Sequence, residues 1–490
     1  MPKNADAAAL AIIDETIKLE PDLLRPDHVP FPAVSETLTL PRALETALAN
    51  NNTMQTYRES VRTTALSLEA VRRGYGPQWM ASMAAVQRES GITLDDFRTT
   101  NQNTSITQTL GVSQILPFGG DLSLGLTGGY NQNNDVDGIF APRLSISLAQ
   151  PLLRGAGRDL QQEPLTQAKR KLLYSLRNYR TQSETFAISI IGDFLGIQLL
   201  EQKIGNLKEK SDAYEKLLKR SKAFYDLGEE TRLEVLRVTQ EGFLVQQDIL
   251  NQDLECRNRR ALFEINLGLP PTDSLVLAKA VIPGKKLDID RAEAVRTALE
   301  KRVDIRTATD AVEDARRTLK FAKRNLLPDL DLNLRANLAN SNSRSSAGVI
   351  NDDYSAGFVL SLPLEQTSER LALYQASISL RQAERTLEWL KNTVTASIHN
   401  SINTIQASEN AIAIQGMIVE SGAKRVEVAK ILIAQQRASN RELIEAKNAL
   451  VNATNNRLDL QLAHYLAILR LKRDMGVLDL HPEILFAENQ

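Results

Sequence analysis

Residues 380–405 read LRQAERTLEWLKNTVTASIHNSINTI. Leu380, Ala383, Leu387, Leu390, Val394, Ile398, Ile402 and Ile405 recur at three- and four-residue steps. That spacing keeps one face of an α-helix turned toward partner helices. The stripe runs on, less cleanly, through Ile412, Val419, Ala423, Val426 and Ile433. The surrounding stretch Glu365–Gln436 has no proline, and its only glycines are Gly416 and Gly422. At ~1.5 Å per residue, roughly 70 residues make a helix about 105 Å long. A helix of that length needs neighbours along it.

Working outward, the chain supplies those neighbours twice. Upstream, Leu330, Leu332, Leu334, Ala336 and Leu338 alternate with Asp331, Asn333, Arg335 and Asn337, and Phe358, Leu360 and Leu362 form a return strand. This is strand patterning with one apolar and one polar face. The same alternation appears earlier at Ile106–Val112, Leu122–Thr127 and Arg143–Leu148, with a weaker strand at Trp79–Val86. Pro117-Phe118-Gly119-Gly120 marks a tight turn, and Asn131–Gly138 and Asn340–Asp353 read as polar loops. Helical patterns precede and follow each set of strands. The expected organisation is an N-terminal arm (1–36), a helix (37–77), four strands (78–153) and a long helix with its return (154–267). A connector (268–289) leads to a second helix (290–327), two strands (328–364), a second long helix with its return (365–475) and a tail (476–490).

The two halves match by counting. Pro77 and Pro328 lie 251 positions apart, and at that offset Ala47-Leu48 meets Ala298-Leu299, Met54 meets Ile305, and Leu68 meets Leu319. Such agreement indicates an internal duplication.

Composition excludes several functions. The formal net charge is −1 over 490 residues, so no electrostatic pull toward nucleic acid is expected. One cysteine, Cys256, leaves no disulfide framework or cysteine-cluster metal site. His28, His399, His464 and His481 make no helical metal pair. No phosphate-binding loop is present, so neither a cofactor nor catalysis is expected. No apolar run reads as a membrane-spanning helix, and Met1–Pro21 lacks a signal-peptide pattern. Strands greasy on one side and polar on the other instead suit a barrel with lipid outside and water inside. Six strands are too few for a wide pore, so several chains must close one wall.

The duplicated helix-to-strand junction (Leu326-Leu327-Pro328 and Tyr75-Gly76-Pro77) and two hairpin-tip motifs carry a family resemblance. The first tip reads Gly228, Thr231, Glu234, Val235 and Leu236; the second reads Gln436, Ser439, Glu442, Leu443, Ile444 and Ala446. From about Leu38 to Leu478 the chain resembles the TolC-like outer-membrane efflux family. That resemblance implies a homotrimer in which long helices build an α-barrel and β-hairpins join an intermolecular transmembrane β-barrel. It implies a periplasmic adaptor (membrane fusion protein) and an inner-membrane pump of the RND or ABC type as partners, and a Gram-negative outer-membrane location. Family members usually give four strands per chain. The extra first-half hairpin, Leu110–Tyr130, either widens the barrel or folds outside it.

By the same resemblance, Glu442 and Glu445 are aperture candidates and Glu234 is a gate-link candidate, with Arg232, Arg437 and Arg441 nearby to pair with them. Glu442 and Glu445 are three apart, on one helix face, and rings of carboxylates at a constriction select for cations. The bland reading is a solvated helix end whose ion pairs contribute ~0–1 kcal/mol. Gly228, Thr231, Leu233, Val235, Leu236, Ser439, Leu443 and Ile444 are candidates for adaptor docking, with hairpin packing as the alternative role. Arg143 and Arg335 fall on the polar strand face. The leading expectation is a passive export duct gated at the tips. A soluble coiled-coil scaffold with β-insertions is the alternative, and an enzyme has only chain length in its favour.

Overall fold

The structure, a computed structural model, describes residues 37–94, 97–133, 136–271, 275–280, 290–343, 346–435 and 437–479. The N-terminal arm, Gln436 and parts of the connector and tail lie outside the described residues. In chain order the elements are α1 (Leu40–Asn50), α2 (Asn52–Gly74), β1 (Gln78–Leu94), β2 (Phe97–Ile115), β3 (Asp121–Asn133), β4 (Val136–Pro151) and α3 (Arg158–Gln161). There follow α4 (Glu163–Asp226), α5 (Arg232–Asn266), α6 (Arg291–Lys301), α7 (Val303–Arg324), β5 (Asp329–Ser343), β6 (Ser346–Ser361), α8 (Thr367–Ala434) and α9 (Asn440–Asp474). The chain divides into two compact units.

The first unit holds all six strands, in one antiparallel sheet of order β1-β2-β3-β4-β5-β6. The two halves of the sequence meet where β4 pairs with β5, Ile146 opposite Ala336 and Ser147 opposite Arg335. The sheet is open, and β1 and β6 are its edges. Because side chains alternate, register carries each face across the whole sheet. One row reads Trp79, Val112, Leu124, Ile146, Ala336, Tyr354; the next reads Gln78, Ser113, Ser123, Ser147, Arg335, Ser355. The apolar face is bare: Trp79 is 77% exposed and Phe358 70%, and Met83, Leu110, Leu124 and Ile146 are also exposed. Two-faced alternation spans nine or ten residues per strand, as in 121–130 and 330–339. At ~3.3 Å per residue, that band runs about 30–33 Å along each strand.

The strands outrun that band. The expected loops at Asn131–Gly138 and Asn340–Asp353 are instead largely ladder, continuing to Asn133 opposite Val136 and Ser343 opposite Ser346. Backbone pairing does not require an apolar face, so these strands persist where both faces are polar. At the other end the turn after β2 closes through Leu116 and Gly120 (2.7 Å). Gly119 there has φ +98°, and a Cβ on it would meet the Gly155 carbonyl at 3.1 Å. Ion pairs fasten α7 to the start of α4: Arg170 to Asp310 (2.6 Å) and Arg317 to Glu163 (3.2 Å), with Arg317 also held by Asp314 of its own helix (2.6 Å). Leu68, Ala168 and Leu172 form an apolar cluster beside them.

The second unit is helical. Ala187, Ile190, Ile191, Phe194 and Ile197 of α4 pack with Phe263 of α5 and Leu44 of α1, and Phe194 meets Phe263 edge-on at 6.1 Å. This part of α4 is long and apolar enough to cross a membrane, contrary to expectation, but 72% of its apolar window is buried in the protein. Its greasiness serves a helical core. Val394, Ile398, Ile402 and Ile405 of the opening stripe are buried against Ala294, Ala298, Ile468 and Leu471.

The helices expected at 37–77 and 290–327 are each broken, at Asn51 and Arg302, which lie 251 positions apart. Asn51 accepts from the Thr53 and Met54 amides (2.9 and 3.2 Å) and donates to the Asn266 carbonyl (2.9 Å). Arg302 donates to the Asp474 carbonyl (3.2 Å). Two residues after those carbonyls, α5 and α9 stop at Gly268 and Gly476, with φ +77° and +69°. A Cβ at Gly268 would lie 2.6 Å from the Asn50 oxygen, and one at Gly476 3.0 Å from the Lys301 oxygen. Glycine is needed at both places for conformation and for close approach.

Candidate functional site

The hairpin tips lie within the second unit. The first forms because α4 runs out at Gly228, whose φ of +77° reverses the chain. The Glu229 amide reaches back to the Phe224 carbonyl and the Gly228 amide to Tyr225, both at 2.9 Å. These two bonds satisfy carbonyls the helix end leaves open. At the second tip the Arg437 amide reaches the Leu432 carbonyl across the same span (2.8 Å). Gln436 itself lies outside the described residues. Thr231 and Ser439 are the N-caps of the return helices α5 and α9. Glu234 and Glu442 follow three residues later, where an acid complements the helix dipole.

The acids then diverge in surroundings. Glu442 turns back to accept the Ser439 amide (3.2 Å), completing a capping box. Glu445 is exposed and pairs with Arg441 (2.6 Å), with Arg425 at 3.9 Å. The Arg441 hydrogen bond holds its carboxyl below the usual carboxylate range, and Arg425 and Arg237 add to this. Glu234 is half-buried and pairs with Arg237. Its second oxygen is buried without a partner among the described residues. Of the nominated arginines, Arg441 meets a tip acid, while Arg232 and Arg437 are exposed and lie in no described ion pair. Arg237, which the sequence reading does not nominate, takes Glu234.

The apolar candidates also separate. Leu443 and Ile444 are 8% and 4% exposed and pack with Val426, Ile433, Ala446, Val238 and Leu217. Val235 is half-buried, whereas Leu233 and Leu236 are 63% and 55% exposed.

What ties the hairpins together is a residue absent from the sequence reading. Asn440, 2% exposed, sends its amide to the Ser221 hydroxyl (2.6 Å) and to a Glu230 carboxylate oxygen (2.9 Å). The other Glu230 oxygen is buried with no partner among the described residues. Arg220 donates to the Ile433 carbonyl (2.7 Å) while stacking on Phe224. Farther along, the Tyr214 hydroxyl donates to Asn448 (2.9 Å) and Asn448 to Glu241 (3.3 Å). Burial, with Glu241 adding, pushes the Tyr214 phenol up. Asparagine and serine pairs on different helices carry no sequence signature, since only tertiary packing brings them together. Among the described residues no group of acids, histidines or cysteines could hold a metal. His464 bonds Ser408 through Nδ1 (2.7 Å), and burial raises the Cys256 thiol.

Comparison with known proteins follows the same line. Residues 294–477 match the model of the outer membrane efflux protein family. The alkaline protease secretion protein AprF of Pseudomonas aeruginosa is 24% identical over 369 residues, 72% of each chain. The Campylobacter jejuni CmeC outer membrane channel superposes with a TM-score of 0.68 at 13% identity, covering 92% of this chain and 89% of that one. The outer membrane protein VceC of Vibrio cholerae gives 0.65 at 14% identity, covering 89% and 96%. Residues 294–477 thus match the outer membrane efflux protein family, and the chain as a whole carries the fold of the outer-membrane channels it superposes on.

Proposed function

We propose that this chain is a passive export duct of a Gram-negative outer membrane, serving tripartite efflux or type I secretion. The observation that carries the reading is the bare apolar face of the sheet, polar on its reverse; at the ~40° tilt of barrel strands its nine or ten residues per strand would stand about 23 Å tall, the height of a transmembrane band. A soluble scaffold has no use for such a face. The open edges β1 and β6 call for further copies, and the family resemblance sets their number at three. Exposed Phe243 and Leu250 on α5, seven apart, are the kind of stripe a neighbouring helix covers. The equal offsets of the helix breaks at Asn51 and Arg302 support the internal duplication. An adaptor and an inner-membrane pump supply the energy, because the duct lowers no chemical barrier. Exposed Leu233 and Leu236 are the apolar tip positions open to an adaptor; Leu443 and Ile444 serve hairpin packing. Glu442 and Glu445 ring the aperture, and Glu234 with Arg237 and Arg441 links the tips.

Planar-bilayer conductance tests this. Wild type is compared with a Glu442→Gln, Glu445→Gln double variant, glutamine being chosen because it preserves the capping box. Cation-selective channels that lose selectivity in the variant support both duct and aperture. Channels with unchanged selectivity remove the aperture assignment. Protein that stays soluble without detergent and forms no channel overturns the duct.

A further inference from the structure

We propose that the β2–β3 hairpin is part of the barrel wall, so that three chains close eighteen strands around a bore that admits a polypeptide bearing secondary structure. This deepens the duct reading and rests on it. The hairpin is stitched in on both sides: β2 pairs with β1 from Trp79–Val112 to Ala85–Ile106 and beyond, and β3 with β4 from Leu122–Leu148 to Tyr130–Phe140. Excluding it from the wall would break both ladders. Its two faces also continue those of its neighbours at the same height. Val112 and Leu124 sit in the apolar row with Ile146, and Ser113 and Ser123 sit in the polar row with Ser147. The Ser123 and Ser147 hydroxyls bond across the strands at 2.6 Å.

The consequence for the bore follows from geometry. With strands ~4.8 Å apart and tilted ~40°, an eighteen-stranded wall has a backbone radius of about 18 Å, against about 12 Å for twelve strands. The hairpin's polar face, from Thr109 and Gly111 to Gly125 and Thr127, is small and uncharged, so little of that width is refilled. Allowing ~5 Å of side chain on each side leaves a bore of about 26 Å rather than about 14 Å. An α-helix with its side chains is ~10–12 Å across. The narrower bore passes one helix; the wider one passes a helical hairpin.

Spin-label distances decide it. In a Cys256→Ser background, single labels are placed at Thr127→Cys on β3 and at Asn333→Cys on β5. In a three-fold assembly the Cα separation is the radius times the square root of three, about 31 Å for eighteen strands and about 21 Å for twelve. Both labels near 31 Å, less the common reach of the label, support the proposal. Asn333 near 21 Å with Thr127 at a clearly longer distance overturns it and leaves a twelve-stranded duct standing. Monomeric protein that forms no channel overturns the duct reading itself. Ser355→Cys on β6 replaces either site should that variant fail to assemble.

Discussion

Replacing Asn440 by alanine isolates what holds the two hairpins together. The change removes a hydrogen bond to the Ser221 hydroxyl and one to the Glu230 carboxylate. A neutral bond is worth roughly 1 kcal/mol and one to a charged group roughly 2 kcal/mol, giving about 3 kcal/mol for the pair. Glu230 would then have both oxygens without a partner among the described residues, so the figure should not fall below this. At about 1.4 kcal/mol per decade, local opening of the tip becomes about 100-fold more frequent. Amide hydrogen exchange on the detergent-solubilised protein reads this directly. The amides of Leu443–Ala446 should exchange about 100-fold faster, while those of Ile190–Ile197, in a separate apolar cluster, keep their rates. Asn440→Asp should be worse at neutral pH, because it faces Glu230 with a second carboxylate. Less than a threefold change at the tip in the alanine variant would refute the reasoning.

Other outcomes follow from the same geometry. Gly268→Ala must carry both a left-handed backbone and a contact at 2.6 Å with the Asn50 oxygen, whereas Gly228→Ala meets nothing within 4 Å. Chemical denaturation should show Gly228→Ala costing about 1–2 kcal/mol and Gly268→Ala at least twice that. Leu124→Arg places a charge on the apolar face and should cost ~2–4 kcal/mol of bilayer insertion. Ser123→Arg, one residue away on the polar face, should be tolerated; vesicle-folding yields compare the two, and equal losses would contradict the two-faced wall. Burial raises the carboxyl of Asp193, although Asn266 and Arg259 oppose it. A raised folded-state pKa means stability present at low pH that is lost as pH rises through it. Asp193→Asn should therefore be neutral or stabilising at pH 7 and lose any advantage below the ordinary aspartate range, which unfolding curves at the two pH values would show.

The long helices and the strands were legible because each buries or bares a face with its own period. Val394, Ile398, Ile402 and Ile405 announce a helix and are buried as one stripe. The strands' lengths were not legible. Alternation reports where one face meets lipid, and it stops at Asn131 although the ladder does not. The breaks at Asn51 and Arg302 were hidden because neither involves proline or glycine; each arises when a side chain reaches a carbonyl at the end of a distant helix. At the tips, motif spacing singles out Glu234, Glu442 and Glu445 and three arginines near them, but not Arg237, which lies one turn along the same helix from Glu234 and pairs with it. Asn440 was missed because its partners, Ser221 and Glu230, are more than 200 residues away in sequence.

The open edges of the sheet also bear on how such a chain comes into being. A lone copy presents unpaired backbone on β1 and β6 and a greasy face between them, the combination that drives strand-to-strand aggregation in water. Its safe lifetime as a single molecule is therefore short, and on the duct reading proposed above it depends on how soon further copies and a bilayer are met. Yield should fall when synthesis outpaces that encounter, and rise when an escort covers the strands until it happens.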